Sequence, residues 1–214
     1  MGKRVGMLGS GQVAQVLAGG FKKHGFDVKI GSREPAKLAE FAKGAGVGTG
    51  TFAEVAAHGE IVVVAVKGGA SLSALQQAGA ANLEGKIVID ATNPIADEPP
   101  QNGVVRFFTG PNDSLLERLQ AAFPKARLVK AFNSVGSAFM VNPTFPGGPP
   151  TMFICGNDAA AKAEVSTILQ QFGWGAEDMG MVESARAIEP LCQLWCVPGM
   201  LRNQWTHAFK LLKL

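Results

Sequence analysis

Short aliphatic runs alternate along this chain with longer helical patterns, and that alternation predicts an open, doubly wound α/β fold on a parallel sheet. Two further observations agree. Charged residues make up 17% of the 214 and apolar residues 47%, which fits strands buried on both faces and argues against disorder. Glycine, 27 of 214 or about 13% against about 7% in an average protein, supplies the tight turns that such strand–helix junctions need. At this length one main domain with an annex is expected, with a core that needs neither disulfide nor metal.

The elements follow in order. Lys3 to Leu8 reads as a strand and Gln12 to His24 as a helix that Gly25 stops. Phe26 to Ile30 is a second strand, and Pro35 to Lys43 a helix with proline in its first turn. The stretch Gly44 to Gly50 reads as a glycine-rich connection, followed by a short helix over Phe52 to Ala57. Ile61 to Val66 is the clearest buried strand. A helix over Ser71 to Ala81, a strand over Lys86 to Asp90 and a long loop from Ile95 to Pro111 come next. Asp113-Ser114 caps a helix from Leu115 to Phe123, and Arg127 to Phe132 is the last strand of the sheet, which ends near residue 135.

Phe145-Pro146-Gly147-Gly148-Pro149-Pro150 then interrupts the pattern, so the chain divides into residues 1–140 and a small C-terminal region, residues 141–214. That region holds a strand from Thr151 to Cys155, a helix between Asn157-Asp158 and Gly173, and a strand near Ala176 to Met181. The tail, Ile188 to Leu214, reads as helical with a break at Pro198-Gly199; it cannot fold alone and packs on the sheet or on a second subunit.

Several classes of function are excluded. A net charge of +3 from dispersed residues makes no nucleic-acid surface. Three cysteines, mostly inside apolar runs, make no disulfide framework and favour a reducing compartment. The longest aliphatic run, Ile61 to Val66, is far too short for a membrane span, and the first apolar run meets Gly9 and Gly11 too early for a signal peptide. A cytoplasmic, soluble protein is expected. His24, His58 and His207 lie too far apart for a metal motif, and Cys192 with Cys196 reads as core packing, so no metal is assigned. With no tyrosine, no mechanism can use a phenolic acid.

The chemistry gathers at the strand ends. Gly9-Ser10-Gly11-Gln12-Val13-Ala14 lies where the first strand passes into the first helix. Gly9 allows the turn, Gly11 lets backbone approach a pyrophosphate, and Ala14 permits close helix–strand packing, while the helix N-terminus offers free N–H groups. The second strand ends in Ile30-Gly31-Ser32-Arg33, with no acidic residue to accept from a ribose 2′-hydroxyl. A hydroxyl and a guanidinium suit a 2′-phosphate instead, with Lys37 one helical turn beyond Arg33, so the cofactor is NADP(H). Of the later strand ends, Ala65-Val66-Lys67 faces the ribose and pyrophosphate, and Thr92-Asn93-Pro94 the nicotinamide. Lys67 is either a further phosphate partner or a solvated lysine before Gly-Gly.

With these motifs the chain resembles NADP oxidoreductases dependent on the deazaflavin coenzyme F-420 (F420), and the related cytoplasmic domain of transmembrane metalloreductases. The resemblance runs nearly end to end and rests on the glycine loop, Gly31-Ser32-Arg33, Val129-Lys130-Ala131-Phe132-Asn133 and Phe153-Ile154-Cys155-Gly156-Asn157-Asp158. It implies a Rossmann domain with a small C-terminal α/β and helical addition, NADP(H) in the crevice, a flavin-like ring against the nicotinamide, and a homodimer. The deazaflavin enzymes carry a histidine where this chain has Asn133, and small hydroxyl residues around Pro190 and Cys192. The run Ile188 to Trp195 is closer in character to the metalloreductases. The acceptor side is therefore expected at Asn133, Pro190, Cys192 and Trp195, with F420, FMN or FAD as acceptor.

Such chemistry needs no conspicuous acid or base, because hydride transfer between two rings asks the protein for stacking, orientation and water exclusion. Asn133 is then either an orienter of nicotinamide or acceptor, or a local cap of the following turn. Two alternatives to a cofactor-to-cofactor reductase are an NADPH-dependent reductase of a small imine or keto substrate, and a non-catalytic NADP-binding redox sensor. About 75 residues after the sheet are few for the helical substrate domain that the first alternative requires.

Overall fold

In the computed structural model, which describes residues 2–214, strand β1 (Arg4–Leu8) leads into helix α1 (Gln12–Lys23) and strand β2 (Asp27–Gly31). A 3-10 turn at Pro35–Leu38 opens α2 (Ala39–Ala45), followed by β3 (Gly48–Gly50), α3 (Phe52–His58) and β4 (Ile61–Val64). Helices α4 (Gly68–Ala78) and α5 (Ala80–Leu83) precede β5 (Ile87–Asp90), and α6 (Leu115–Ala122) precedes β6 (Arg127–Lys130). Beyond these come β7 (Thr151–Ile154), α7 (Ala159–Gln171), β8 (Gly175–Asp178), α8 (Ala185–Ile188) and α9 (Pro190–Arg202).

The first six strands form one sheet in the order β3-β2-β1-β4-β5-β6, every pairing parallel. From β1 the chain winds one way through β2 and β3, then crosses back to β4 and continues outward to β6. The reversal leaves a crevice at the carboxyl end of β1. Alternation along the strands feeds two cores. Met7, Ile30, Val63, Ile89 and Val129 face α1 and α7, whereas Leu8, Val62, Val64, Val88 and Leu128 face α3, α4 and α6. Each such side chain contributes about 1.5–3 kcal/mol on burial, which is why the Ile61–Val64 run reads so clearly as central strand. The doubly wound α/β reading is borne out.

Several local expectations change: the helix read over Ser71 to Ala81 is split at Gly79 into α4 and α5, and the strand read through Phe132 ends at Lys130. Gly48–Gly50, read as a connection, is the edge strand β3; backbone pairing to β2 makes it, with no help from side-chain pattern. The last strand covers Gly175–Asp178, earlier than Ala176 to Met181, because it pairs residue for residue with Thr151–Ile154. The tail is helical only to Arg202: α9 runs through Pro198 and ends at Asn203 in a left-handed cap (φ 52°). Residues 203–214 double back non-helically, Trp205 packing on Gly199 and the Phe209 carbonyl accepting from the Thr151 amide at 2.9 Å. The two-stranded β7–β8 unit meets the main sheet at a bridge between Lys130 and Cys155, and Met152, Ile154, Leu169 and Phe172 share the core of β1 and α1.

At the carboxyl ends of β5 and β6, directly opposite in register, Asp90 and Lys130 are fully buried and paired at 2.6 Å. Glu189, at the head of α9, reaches Lys130 Nζ from the other side at 2.8 Å and is 2% exposed. Its carboxylate also accepts the Leu115 and Leu116 amides at 2.9 and 3.0 Å, closing the N-terminus of α6. Burial favours the neutral amine, but Asp90 and Glu189 outweigh it and hold the Lys130 pKa above the usual lysine value. Strands β5 and β6 and the head of α9 meet on one ammonium, and α6 is tied to it through Glu189.

Lys130→Met should therefore cost about 3–5 kcal/mol in urea unfolding, since it leaves two facing carboxylates buried without their cation. A cost below about 1 kcal/mol would mean that the cluster behaves as a surface pair. Because the folded-state pKa is raised, the ammonium's contribution is complete below the unfolded lysine pKa and is lost only as pH climbs through the folded value. This group should leave the urea midpoint unchanged between about pH 7 and about pH 9.

Candidate functional site

The crevice at the switch point opens into a cavity of about 800 Å³, lined by the loops after β1, β2, β4 and β5 and by one face of α4. Gly9 turns the chain with φ +140°, and a Cβ there would lie 2.3 Å from the Ala65 carbonyl oxygen. Gly68 brings the β4 and β5 loops together, since a Cβ there would lie 1.9 Å from the Asn93 carbonyl oxygen. At Gly11 the geometry is the reverse: a Cβ would meet no protein atom within 4 Å. The space above Gly11 belongs to the cavity, and no side chain caps the α1 amides that border it. Gln15 stiffens this loop from behind, donating from Nε2 to the Ser10 carbonyl at 2.9 Å. An open cradle with uncapped amides fits a pyrophosphate.

Ser32 and Arg33 stand at one end of the cavity. The Ser32 hydroxyl accepts from the Glu34 amide at 3.0 Å, which fixes the turn and leaves its own proton to donate. Arg33 is exposed, and among the described residues it has no hydrogen-bond or ion-pair partner. Lys37, expected beside it, is absent from the wall; it pairs with Glu34 at 2.9 Å, and that contact holds the Glu34 carboxyl below its usual pKa. Lys67 does line the cavity, 3.9 Å from Asp97, with both side chains almost fully exposed.

Ala91, Thr92 and Asn93 form the other end. Thr92 is fixed by the buried cluster: Asp90 Oδ1 accepts from its amide at 2.9 Å and its hydroxyl at 2.6 Å, and Lys130 Nζ donates to its carbonyl at 3.0 Å. Pro94 lies outside the wall and accepts from the Phe108 amide, opening the excursion that Ile95 and Phe107 close by an antiparallel bridge.

Behind Asn93 sits Asn133, 3% exposed. Asn133 Nδ2 donates to Asn93 Oδ1 at 3.2 Å and to the Ile188 carbonyl at 3.0 Å, while Asn93 Nδ2 donates to the Asn133 carbonyl at 2.7 Å. Asn133 Oδ1 is buried without a partner, a cost of about 1–3 kcal/mol. The residue before it, Phe132, is fully buried with φ +63°, a left-handed conformation that costs a non-glycine residue of order 1–3 kcal/mol. Strain and an orphaned acceptor thus adjoin at one strand end.

The remaining acceptor-side residues do not join the cavity. Pro190 is exposed at the start of α9. Cys192 is buried against Cys196, whose thiol together with burial pushes the Cys192 pKa up. Trp195 is 7% exposed, stacked on His207 at 5.0 Å and donating to the His207 carbonyl at 2.9 Å, so the returning tail covers the ring. The other two histidines sit elsewhere, His24 against Phe172 and Asn142, and His58 beside Asp27.

Several wall residues were not anticipated, chiefly Phe52, Ser73, Gln77 and Asp97. Phe52 follows Thr51, whose hydroxyl and Glu54 form a capping box that was readable as a helix start but not as a wall. Ser73 and Gln77 sit one turn apart on α4, bonded to each other, and only the crossover places that face over the crevice.

Comparison with known proteins agrees with this geometry. Residues 4–94 match the family model described as NADP oxidoreductase, coenzyme F420-dependent. Over its whole length the chain superposes on the 1.70 Å crystal structure of a protein from Arthrobacter sp. FB24 provisionally described as an F420-dependent NADP reductase. The TM-score is 0.92 at 36% identity, with 99% of this chain and 100% of that one covered. Metalloreductase STEAP3 of Rattus norvegicus is 37% identical over 206 residues, 92% of this chain. Metalloreductase STEAP2 of Homo sapiens is 29% identical over 191 residues, 87% of this chain. The chain spans 39% and 35% of the lengths of those two relatives, and among its described residues no helix is long and apolar enough to cross a membrane. An imine reductase from Streptomyces aurantiacus shares the fold, with a TM-score of 0.68 at 16% identity and 93% of this chain and 63% of that one covered. The chain belongs to the F420-dependent NADP oxidoreductase family, an enzyme family of NADP-dependent oxidoreductases.

Proposed function

We propose that this enzyme binds NADP(H) along the cavity and transfers a hydride between its nicotinamide and a flavin-like or deazaflavin ring. The observation that carries the reading is the unpaired Arg33, standing at one end of a cavity whose centre is the open cradle at Gly11. Arg33 and the Ser32 hydroxyl hold the 2′-phosphate, and the amides of Gln12 and Val13 meet the pyrophosphate. Ser10 shapes that loop, Ala65, Val66 and Lys67 flank ribose and phosphate, and Phe52 with the α4 face receives the adenine end. Thr92 and Asn93 border the nicotinamide. Bound NADPH supplies the hydride. The chain's own part is to fix the ring's orientation and keep water off it.

Asn133 orients the reacting end, its orphaned Oδ1 accepting an N–H from a ring substituent once Asn93 yields. Pro190 and the exposed face of α9, with Leu194, Met200 and Leu201, lie on the acceptor and dimer side. On this reading residues 141–214 serve the acceptor and a homodimer, and the protein works in the cytoplasm.

Stopped-flow oxidation of NADPH with F420, FMN, FAD or a ferric chelate should show turnover with at least one of them. Turnover confined to imines or keto acids would replace the proposal, and tight NADPH binding without turnover on any acceptor would make the protein a sensor. Arg33→Ala should weaken NADPH binding by roughly 10-fold or more while leaving NADH nearly unchanged, as expected for one charge-assisted contact. Equal losses for both would remove the 2′-phosphate role. Asn133→Ala should slow single-turnover hydride transfer about 10- to 100-fold, at a stability cost of about 1–3 kcal/mol for the Ile188 carbonyl and the Asn93 amide oxygen it leaves unpaired. An unchanged rate would reduce Asn133 to a local cap.

A further inference from the structure

The buried cluster beneath the nicotinamide end does not balance its charge. Asp90 and Glu189 contribute two negative charges and Lys130 one positive, a surplus of one. Both carboxyl groups act only as acceptors: Asp90 from the Thr92 amide and hydroxyl and from Lys130, Glu189 from two α6 amides and from Lys130. The α6 amides carry a partial positive charge, which offsets part of the surplus without cancelling it. Stability does not account for the arrangement, because apolar side chains of the same volume commonly serve a fold as well or better than a buried ion cluster.

Its direct hydrogen-bonded connection to the cavity runs through Thr92. Thr92 touches Asp90 through its amide and hydroxyl and Lys130 through its carbonyl, and it lines the end opposite Ser32 and Arg33. With the 2′-phosphate at the Arg33 end, nicotinamide falls at the Thr92 end. The remaining charges near the cavity do not discriminate there: Lys67 and Asp97 face each other in solvent, and Arg33 is at the far end. The nicotinamide ring carries a positive charge when oxidised and none when reduced, so a nearby surplus of negative charge acts on one form only.

Resting on the cofactor reading above, we propose that the Asp90–Lys130–Glu189 cluster makes the site hold oxidised nicotinamide more tightly than reduced, so that hydride leaves the bound cofactor for the acceptor. The three residues touch no reacting atom; they are positioning residues whose net charge sets the direction.

The test is a pair of dissociation constants, for NADP+ and for NADPH, measured by calorimetry on the wild type, Glu189→Gln and Asp90→Asn. The wild type should bind NADP+ the more tightly. Each substitution removes one negative charge from a different element, and both should weaken NADP+ relative to NADPH by about 10- to 20-fold, the size of a charge–charge interaction across roughly 10 Å at an effective dielectric constant near 20. A structural role would weaken both forms by the same factor and leave the ratio unmoved, which overturns the proposal. So does tighter NADPH binding by the wild type, which decides the matter even where a variant fails to fold. Failure of the wild type to bind either form would instead remove the cofactor reading itself.

Discussion

Lys130 has its ammonium sealed between two carboxylates, and that enclosure sets where the rest of the cavity wall can stand. A buried ammonium is tolerable only while both anions hold their places. Asp90 is therefore fixed opposite it on β5, and Glu189 is drawn in from the C-terminal region to the same point. Once placed, Asp90 dictates the backbone of Thr92, and Glu189 dictates where α6 begins. The cofactor-facing loop, the edge of the sheet and the head of α9 are thus coupled through one side chain. In a low-dielectric interior such coupling is strong in both directions: losing one partner leaves the others more costly to bury than before.

The part of the site that reads from the sequence is the part built locally. Gly9, Gly11, Ser32 and Arg33 each act within a few residues of a strand end, where chain direction and turn chemistry fix the geometry. Strand β4 was equally plain, because four consecutive aliphatic residues at the centre of a parallel sheet need no partner to be recognised. What escaped depends on distant partners. Strand β3 is Gly-Thr-Gly and exists because β2 offers it a free edge, so no side-chain pattern marks it. Lys37 stood at a sensible spacing from Arg33, but Glu34 is nearer in space and takes it. Asp90 ends an aliphatic run, which reads as a strand emerging into solvent, and Lys130 interrupts the run from Leu128 to Phe132, where a lysine reads as facing solvent. Only their register, 40 residues apart, shows that both are buried.

Trp195 illustrates the same limit in the C-terminal region. An aromatic residue in an apolar helix can be a stacking platform or a core residue, and the sequence of α9 alone serves both. Twelve residues later His207 returns to cover it, exchanging hydrogen bonds with the Trp195 backbone and indole. The reversal depends on Asn203, whose left-handed cap ends the helix and sends the chain back. Pro198, which looked like the break, sits inside the helix without ending it.

The cavity and its surroundings consequently differ in kind. Residues 9 to 97 supply every wall of the cavity, on loops pinned by a buried sheet. The face beyond Asn93 is held instead by side-chain bonds among Asn93, Asn133 and Ile188, with one acceptor left over and a strained Phe132 next to it. Strain and unmet hydrogen bonds persist where surrounding structure over-determines them, and they are the places at which a bound ring can be repaid for moving an amide. On the proposed reading the cofactor end is pre-formed, whereas the acceptor end is made of groups that gain hydrogen bonds by rearranging. If Asn133 serves the acceptor as proposed, the same fold takes a different acceptor by changing one asparagine-sized group at the end of β6, without disturbing the cluster of charges that anchors the strand beneath it.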